Sequence, residues 1–322
     1  MSIGVALWPT RAESFGARIV HMNVQQLSYD IGTGWQERGG DLDGRSPHLV
    51  LVFGGRHLLE SGHGLAELRR RFPGARFVIA STSGEMIGTE VNEDTIAATV
   101  VAFDKTRVAC AATHVESAAD SYDAGRALAE KLSAVDLVHV FALSDGARVN
   151  GTELARGFND HLPPGALLTG GLAGDGTRFE RTVVGLDADP APGQVVAVGF
   201  YGQSLRVKFG SAGGWEPFGP SREVTRSAGN TLYELDGQSA LRLYRTYLGD
   251  QAQQLPASAL RFPLAVTPPA SAQTVVRTIL SIDDAAESMT FAGDVPSGSR
   301  VRFMRASYED LIDGAAAAAE QV

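Results

Sequence analysis

One arrangement occurs twice in this chain, and it limits the folds open to it more than composition does. The β-branched run HLVLVFGG (His48–Gly55) precedes a stretch with helical spacing, a stop at Pro73-Gly74, a second apolar run ARFVIA (Ala75–Ala80) and the turn STSGE (81–85). Some ninety residues on, the order returns. DLVHVFAL (Asp136–Leu143) precedes a helix-like stretch, Pro163-Pro164-Gly165, the short run ALL and the turn GGLAGD (170–175). Ser83-Gly84-Glu85 thus corresponds to Ala173-Gly174-Asp175. Two strand-like runs follow each half: TIAATVVAF and RVACAATHV, then TVVGL and QVVAVGFYG. Short apolar runs bounded by turn residues read as buried strands, and strand–helix–strand units cross right-handed over a sheet. The fold class expected is α/β in two domains, the N-terminal one carrying an internally duplicated β-α-β plus strand-pair unit.

Within that frame, Leu58–Phe72 reads as one helix, with Leu65, Leu68 and Phe72 on one side and Arg69-Arg70-Arg71 favourably placed at its C-terminal end. Ser121–Leu132 reads as a second helix, and Val24–Trp35 as helical or irregular. The three-residue link Asp104-Lys105-Thr106 argues that its flanking runs pair antiparallel, and TVVGL and QVVAVGFYG are spaced for a hairpin. Near Leu205 the character changes. GSAGGWEPFGP is rich in turn residues, one helix-like run follows (Ala240–Leu248), and then come the short strand candidates FPLAV, TVVRTIL, MTFAG and RVRFM. The domains expected are 1–204 and 205–322, the second being α/β or α+β.

Composition excludes several functions. With 28 basic against 37 acidic residues the net charge is −9, and no dense basic run offsets it, so nucleic acid is not an expected partner. Cys110 is the only cysteine, which forbids an intrachain disulfide or a cysteine-built zinc site and suits a reducing compartment. The start MSIGVALWPTRAESFG lacks the basic region of a secretory leader, and no apolar run reaches about 18 residues. No membrane insertion is expected, and the expected location is cytoplasmic.

Loops at the carboxyl ends of strands in open α/β sheets are where pockets form. The candidate ligand-binding residues are therefore Ser81, Thr82, Ser83 and Glu85 in the first half, and Asp145, Asn150, Gly171, Gly174 and Asp175 in the second, with Trp215 as an aromatic cover. Each has a structural alternative: turn formation for the glycines and Asp145, helix capping for Asn150, domain packing for Trp215. If both loops converge, Glu85, Asp145 and Asp175 would draw a ligand's ammonium group and backbone N–H groups its carboxylate. No phosphate-cradling GxxxxGK[ST] or GxGxxG pattern is present, and no G-x-S-x-G elbow supports Ser81 or Ser83 as a nucleophile, so no catalytic residue is assigned. A serine-type hydrolase stays as an alternative. His114, His139 and His161 are the histidines best placed for metal or haem, yet each lacks a local partner, and His139 in its apolar strand reads equally as a core residue. No cofactor is expected.

The segments STSGE, SDGARVNGTEL (144–154), GGLAGDG (170–176), GWEPFGP (214–220) and YELDGQSAL (233–241), in that order, resemble the FIST sensory proteins, an N-domain followed by a C-domain. The resemblance implies a non-enzymatic sensory module for a small polar metabolite, with amino acids among the ligands. It implies signalling through a separate partner such as a histidine kinase, cyclase or chemoreceptor. Some members bind haem and sense nitric oxide, which adds a haem-based sensor as an alternative. The family usually has cysteine before the ST pair, where this chain has Ala80, and its C-domain is several tens of residues longer than the segment ending at Val322. A homo-oligomer is compatible with all of this.

Overall fold

The computed structural model describes residues 22–269 and 271–322. The opening segment read for a leader lies outside them. The chain divides into two compact units, one running to Val149 and again over Ala155–Val207, the other holding Asn150–Leu154 with Lys208–Val322. Among the described residues, no helix is long and apolar enough to cross a membrane.

The first unit begins with β1 (Met22–Asp30) and β2 (Gly34–Gly40), an antiparallel hairpin. Val24–Trp35 is therefore the greater part of β1, a turn over Ile31–Thr33 and the start of β2, not helical or irregular. Its period-two pattern is hidden because the buried side of β1 carries Asn23 and Gln25 beside Leu27. Asn23 is accommodated by donating through Nδ2 to Asp43 at 2.7 Å. Next come β3 (Leu49–Gly54), α1 (Arg56–Glu60), α2 (Leu65–Arg71) and β4 (Arg76–Ser81). The single helix expected over Leu58–Phe72 is two, because Gly62 and Gly64 take φ of 71° and 77° and turn the chain between them. The small hairpin β5 (Glu85–Ile87) and β6 (Glu90–Asn92) leads to β7 (Ile96–Phe103), β8 (Arg107–His114), α3 (Ser121–Leu132) and β9 (Leu137–Ser144). Then follow α4 (Gly151–Asn159), β10 (Leu167–Leu172), β11 (Val184–Leu186) and β12 (Gln194–Tyr201).

These strands form two main sheets, ordered β11-β4-β3-β7-β1-β2 and β10-β9-β12-β8. Neither expected strand pair forms a ladder. β7 pairs with β1 and β3 while β8 pairs with β12, so Asp104-Lys105-Thr106 steps between sheets. β11 likewise joins β4 in the first sheet while β12 sits in the second. Alternation along the strands explains the step. Val50, Val52, Phe77, Ile79, Val100 and Ala102 face one core with α1 and α2, whereas Leu49, Leu51, Val78, Val101 and Phe103 face Phe141, Leu143, Val196, Val198 and Phe200 of the other sheet. Strands covered on both faces need apolar residues at every position, as β3 has. Helix α3 covers the far face of the second sheet through Ala124, Leu128 and Leu132, and Tyr201 donates its hydroxyl to Leu132 O at 2.7 Å. The layers run helix, sheet, sheet, helix.

The two sheets share an order. β3 and β4 are parallel, with β7 and then β1 antiparallel beside β3; β9 and β10 are parallel, with β12 and then β8 antiparallel beside β9.

The second unit contains β13 (Glu216–Ala228), β14 (Thr231–Leu235), β15 (Gln238–Ser239), α5 (Ala240–Leu248), β16 (Leu264–Thr267), β17 (Val275–Arg277), β18 (Ile279–Asp283), β19 (Ser288–Phe291), β20 (Arg300–Arg305) and α6 (Tyr308–Ala319). Seven strands run β17-β16-β20-β13-β14-β19-β18, β15 adds to β14, and every pairing is antiparallel. The arrangement is α+β. Tyr244, Phe291, Phe303 and Leu235 centre its core, with α5 laid on the sheet. The segment GWEPFGP, read as turns, supplies the first residues of β13.

Candidate functional site

The two strand-end loops of the first unit meet directly. Gly174 donates its N–H to Ser81 O at 2.9 Å and Gly176 donates to Ser83 Oγ at 3.1 Å. A side chain at Gly174 would put its Cβ 2.4 Å from Ser83 Oγ and 3.0 Å from Ser83 N, so only glycine permits this approach. Ser81 is buried, and its Oγ accepts the Val183 N–H at 3.0 Å, which leaves it unsuited to nucleophilic attack. Gly171, in β10, has nothing within 4 Å of where a Cβ would stand.

The second-half carboxylates turn toward the protein's own donors. Asp145 is buried and accepts from Ala147 N, Arg148 N, Thr182 Oγ1 and Gly193 N at 2.6–3.1 Å. Asp175 accepts Arg56 Nε at 2.8 Å and Arg178 Nε at 3.0 Å on Oδ1, and the Glu180 and Arg181 N–H groups on Oδ2. Burial pushes the Asp175 carboxyl up, but these four donors outweigh it and hold it below the usual range. Arg56, the first residue of α1, also donates to Glu180 at 2.5 Å and Glu60 at 3.3 Å. The hydrogen bond to Asp175 raises its pKa against the opposing effect of burial. Sequence reasoning missed Arg56; the available signal was a cation directly after Gly54-Gly55 in an apolar setting.

Glu85 is placed differently. It lines a pocket of about 270 Å³ framed by the β1–β2 hairpin and the β5–β6 hairpin. Glu85, Ile87 and Ile96 are its buried residues; Asp30, Thr33, Gln36 and Arg38 are exposed; Ser28, Asn92 and Thr95 complete a polar wall. Neither Asp145 nor Asp175 lines it. Glu85 is only 2% exposed and accepts from Thr82 Oγ1, Thr95 N at 3.1 Å and Thr95 Oγ1 at 2.9 Å. Burial raises its carboxyl above the ordinary range, against the pull of those donors, and Asp94 adds to the rise. Arg38 lines the same pocket, donating to Ser28 Oγ at 2.6 Å and sitting 3.6 Å from Glu90. A carboxylate, a guanidinium and several neutral donors and acceptors around one small volume suit a zwitterion. The hairpin residues carry no sequence signal of their own, because Asn23 and Gln25 mask the alternation of β1.

Asn150 and Trp215 belong to the second unit. Asn150 caps α4 by accepting the Thr152 N–H at 3.0 Å and donates to Asp294 at 2.5 Å. The Trp215 ring packs on Gly213, and its indole N–H is buried without a partner among the described residues. His139, in the core between the sheets, engages Thr169 Oγ1 at 2.8 Å, and burial lowers its pKa to about 4. The apolar cleft beside it has about 20 Å³ of room, far too little for a porphyrin. His161 meets Gly157 O, and His114 meets Glu116. Among the described residues, no group of three His, Cys, Asp or Glu side chains is set to hold a metal ion.

The FIST N domain matches residues 48–238 and the FIST C domain residues 240–322, and the chain belongs to this family of sensory domains. No curated protein matches it.

Proposed function

We propose that this protein is a non-enzymatic sensor that holds a small polar metabolite, an amino acid being the best fit, in the pocket between the β1–β2 and β5–β6 hairpins. The observation that carries the reading is that the buried Glu85 carboxyl and Arg38 line one polar pocket of about 270 Å³. A ligand ammonium there would meet Glu85 and Asp30, and a ligand carboxylate would meet Arg38. Occupancy is passed to a separate signalling partner such as a kinase, cyclase or chemoreceptor, which requires two states of the protein with different affinity for the ligand. The shared strand order of the two sheets supports an internal duplication as the origin of the paired loops.

Native mass spectrometry of freshly purified protein, before and after denaturation, tests for a retained ligand, and thermal scans against an amino-acid panel test for binding. A ligand at a hundredfold over its Kd stabilises the fold by about 2.7 kcal/mol. Glu85→Gln keeps the Thr82 and Thr95 contacts, because an amide oxygen accepts from Thr95 while its nitrogen donates to Thr82, and it should lose the stabilisation. No retained mass together with no thermal response across the panel would sink the reading.

A further inference from the structure

The charges around the pocket between the β1–β2 and β5–β6 hairpins do not balance. Three charged residues line it: Asp30, Arg38 and Glu85. The one cation is already answered, because Arg38 stands 3.6 Å from Glu90, the ladder partner of Ile87 in the β5–β6 hairpin. Asp94, just beyond β6, likewise has Arg178 at 3.6 Å. Among the described residues, neither Asp30 nor Glu85 makes an ion pair. The two carboxylates that line the pocket are the two left over.

They differ in what the protein gives them. Asp30 is exposed at the β1–β2 turn, where its Oδ1 accepts the Gly32 N–H at 2.8 Å. Glu85 is buried and receives neutral donors alone, Thr82 Oγ1 on Oε1 and Thr95 N and Oγ1 on Oε2. An ionised carboxylate accepts about four hydrogen bonds, so Oε1 keeps a vacant position. Asp175 shows how the same fold treats a buried carboxylate that it means to compensate by itself: a guanidinium, that of Arg56, stands 2.8 Å away. Part of the pocket wall is apolar, formed by the buried Ile87 and Ile96.

An amino acid with an uncharged side chain brings one ammonium to these two acids and leaves one of them unanswered. We propose that the pocket selects a basic amino acid, a ligand with two cationic groups and a net positive charge; this rests on the reading that the pocket is the ligand site. One cationic group pairs with Glu85 and the other with Asp30, while the carboxylate joins Arg38. The methylenes between them lie along Ile87 and Ile96, as the stems of long cationic side chains lie on apolar surface. Asp30 is then the specificity-determining residue, since Glu85 alone would accept the ammonium of any amino acid.

Isothermal titration calorimetry with L-lysine, L-arginine, L-norleucine and L-glutamate is the test. Norleucine keeps the aliphatic chain of lysine and lacks its terminal ammonium. Lysine and arginine should bind about tenfold more tightly than norleucine, with glutamate the weakest. Lysine should lose affinity as salt is raised, and norleucine should change little. Asp30→Asn, whose amide oxygen still accepts the Gly32 N–H, should weaken lysine about fivefold and leave norleucine within about twofold. Norleucine or glutamate binding as tightly as lysine would overturn the inference and leave the pocket standing as a ligand site. So would an Asp30→Asn protein in which the gap between lysine and norleucine fails to narrow. No binding of any of the four would remove both the inference and the reading beneath it.

Discussion

Arg56 Nε lies 2.8 Å from Asp175 Oδ1, and the two side chains, 1% and 2% exposed, are sealed from solvent together. The pair ties the turn after β3 to the loop after β10, with Arg178 and Glu180 completing its hydrogen bonds. Taking one partner from such a pair strands the other in a medium that solvates charge poorly. Arg56→Met should therefore cost about 3–5 kcal/mol of stability, read from urea unfolding midpoints at unchanged slope.

The same carboxylate sets an acid limit. The folded-state pKa of Asp175 is held below its ordinary 3.8, so its contribution is complete above 3.8 and is lost as pH falls through the lower folded value. Stability measured across the acid range should fall less steeply in Asp175→Asn than in the wild type, although the variant starts from a lower value at neutral pH. Equal slopes would contradict this.

Glu85 should behave with the opposite sign. Its folded-state pKa is raised above 4.5, so its favourable contribution is present below 4.5 and is lost as pH rises through the folded value and the buried carboxyl ionises. Ligand-free Glu85→Gln should match the wild type in acid and exceed it at neutral pH, measured by the same unfolding series. A neutral-pH loss in the variant would show that the ionised carboxylate is better compensated than its surroundings indicate.

Two neighbouring glycines should separate contact from conformation. Gly174→Ala forces a methyl against Ser83 and should cost about 1–3 kcal/mol. Gly171→Ala meets open space at a φ that alanine accepts and should stay within about 0.5 kcal/mol of the wild type. Paired thermal melts decide it.

The parts that were legible in sequence are those where local pattern and tertiary role agree. β3, and β4 from Phe77 to Ala80, are continuously apolar because both their faces are covered, and α3 and α5 keep one buried stripe apiece. β1 is hidden because the polar Asn23 and Gln25 occupy its inward side, and Asn23 donates to Asp43, a partner that a local window does not contain. The short links after β7 and before β12 were read as hairpins, since a step between stacked sheets needs as few residues as a turn within one. At the candidate site, Glu85 was found from its loop, but the opposing wall was not, because it belongs to that hidden hairpin. Arg56 was invisible for a related reason: its carboxylate partner stands 119 positions away.

Ser28 to Arg38, one side of the pocket, lie ahead of the segment that matches the FIST N domain, while Glu85 to Ala97 lie within it. On the proposed reading, selectivity among small polar molecules would rest partly on a hairpin that the matched family segment does not include.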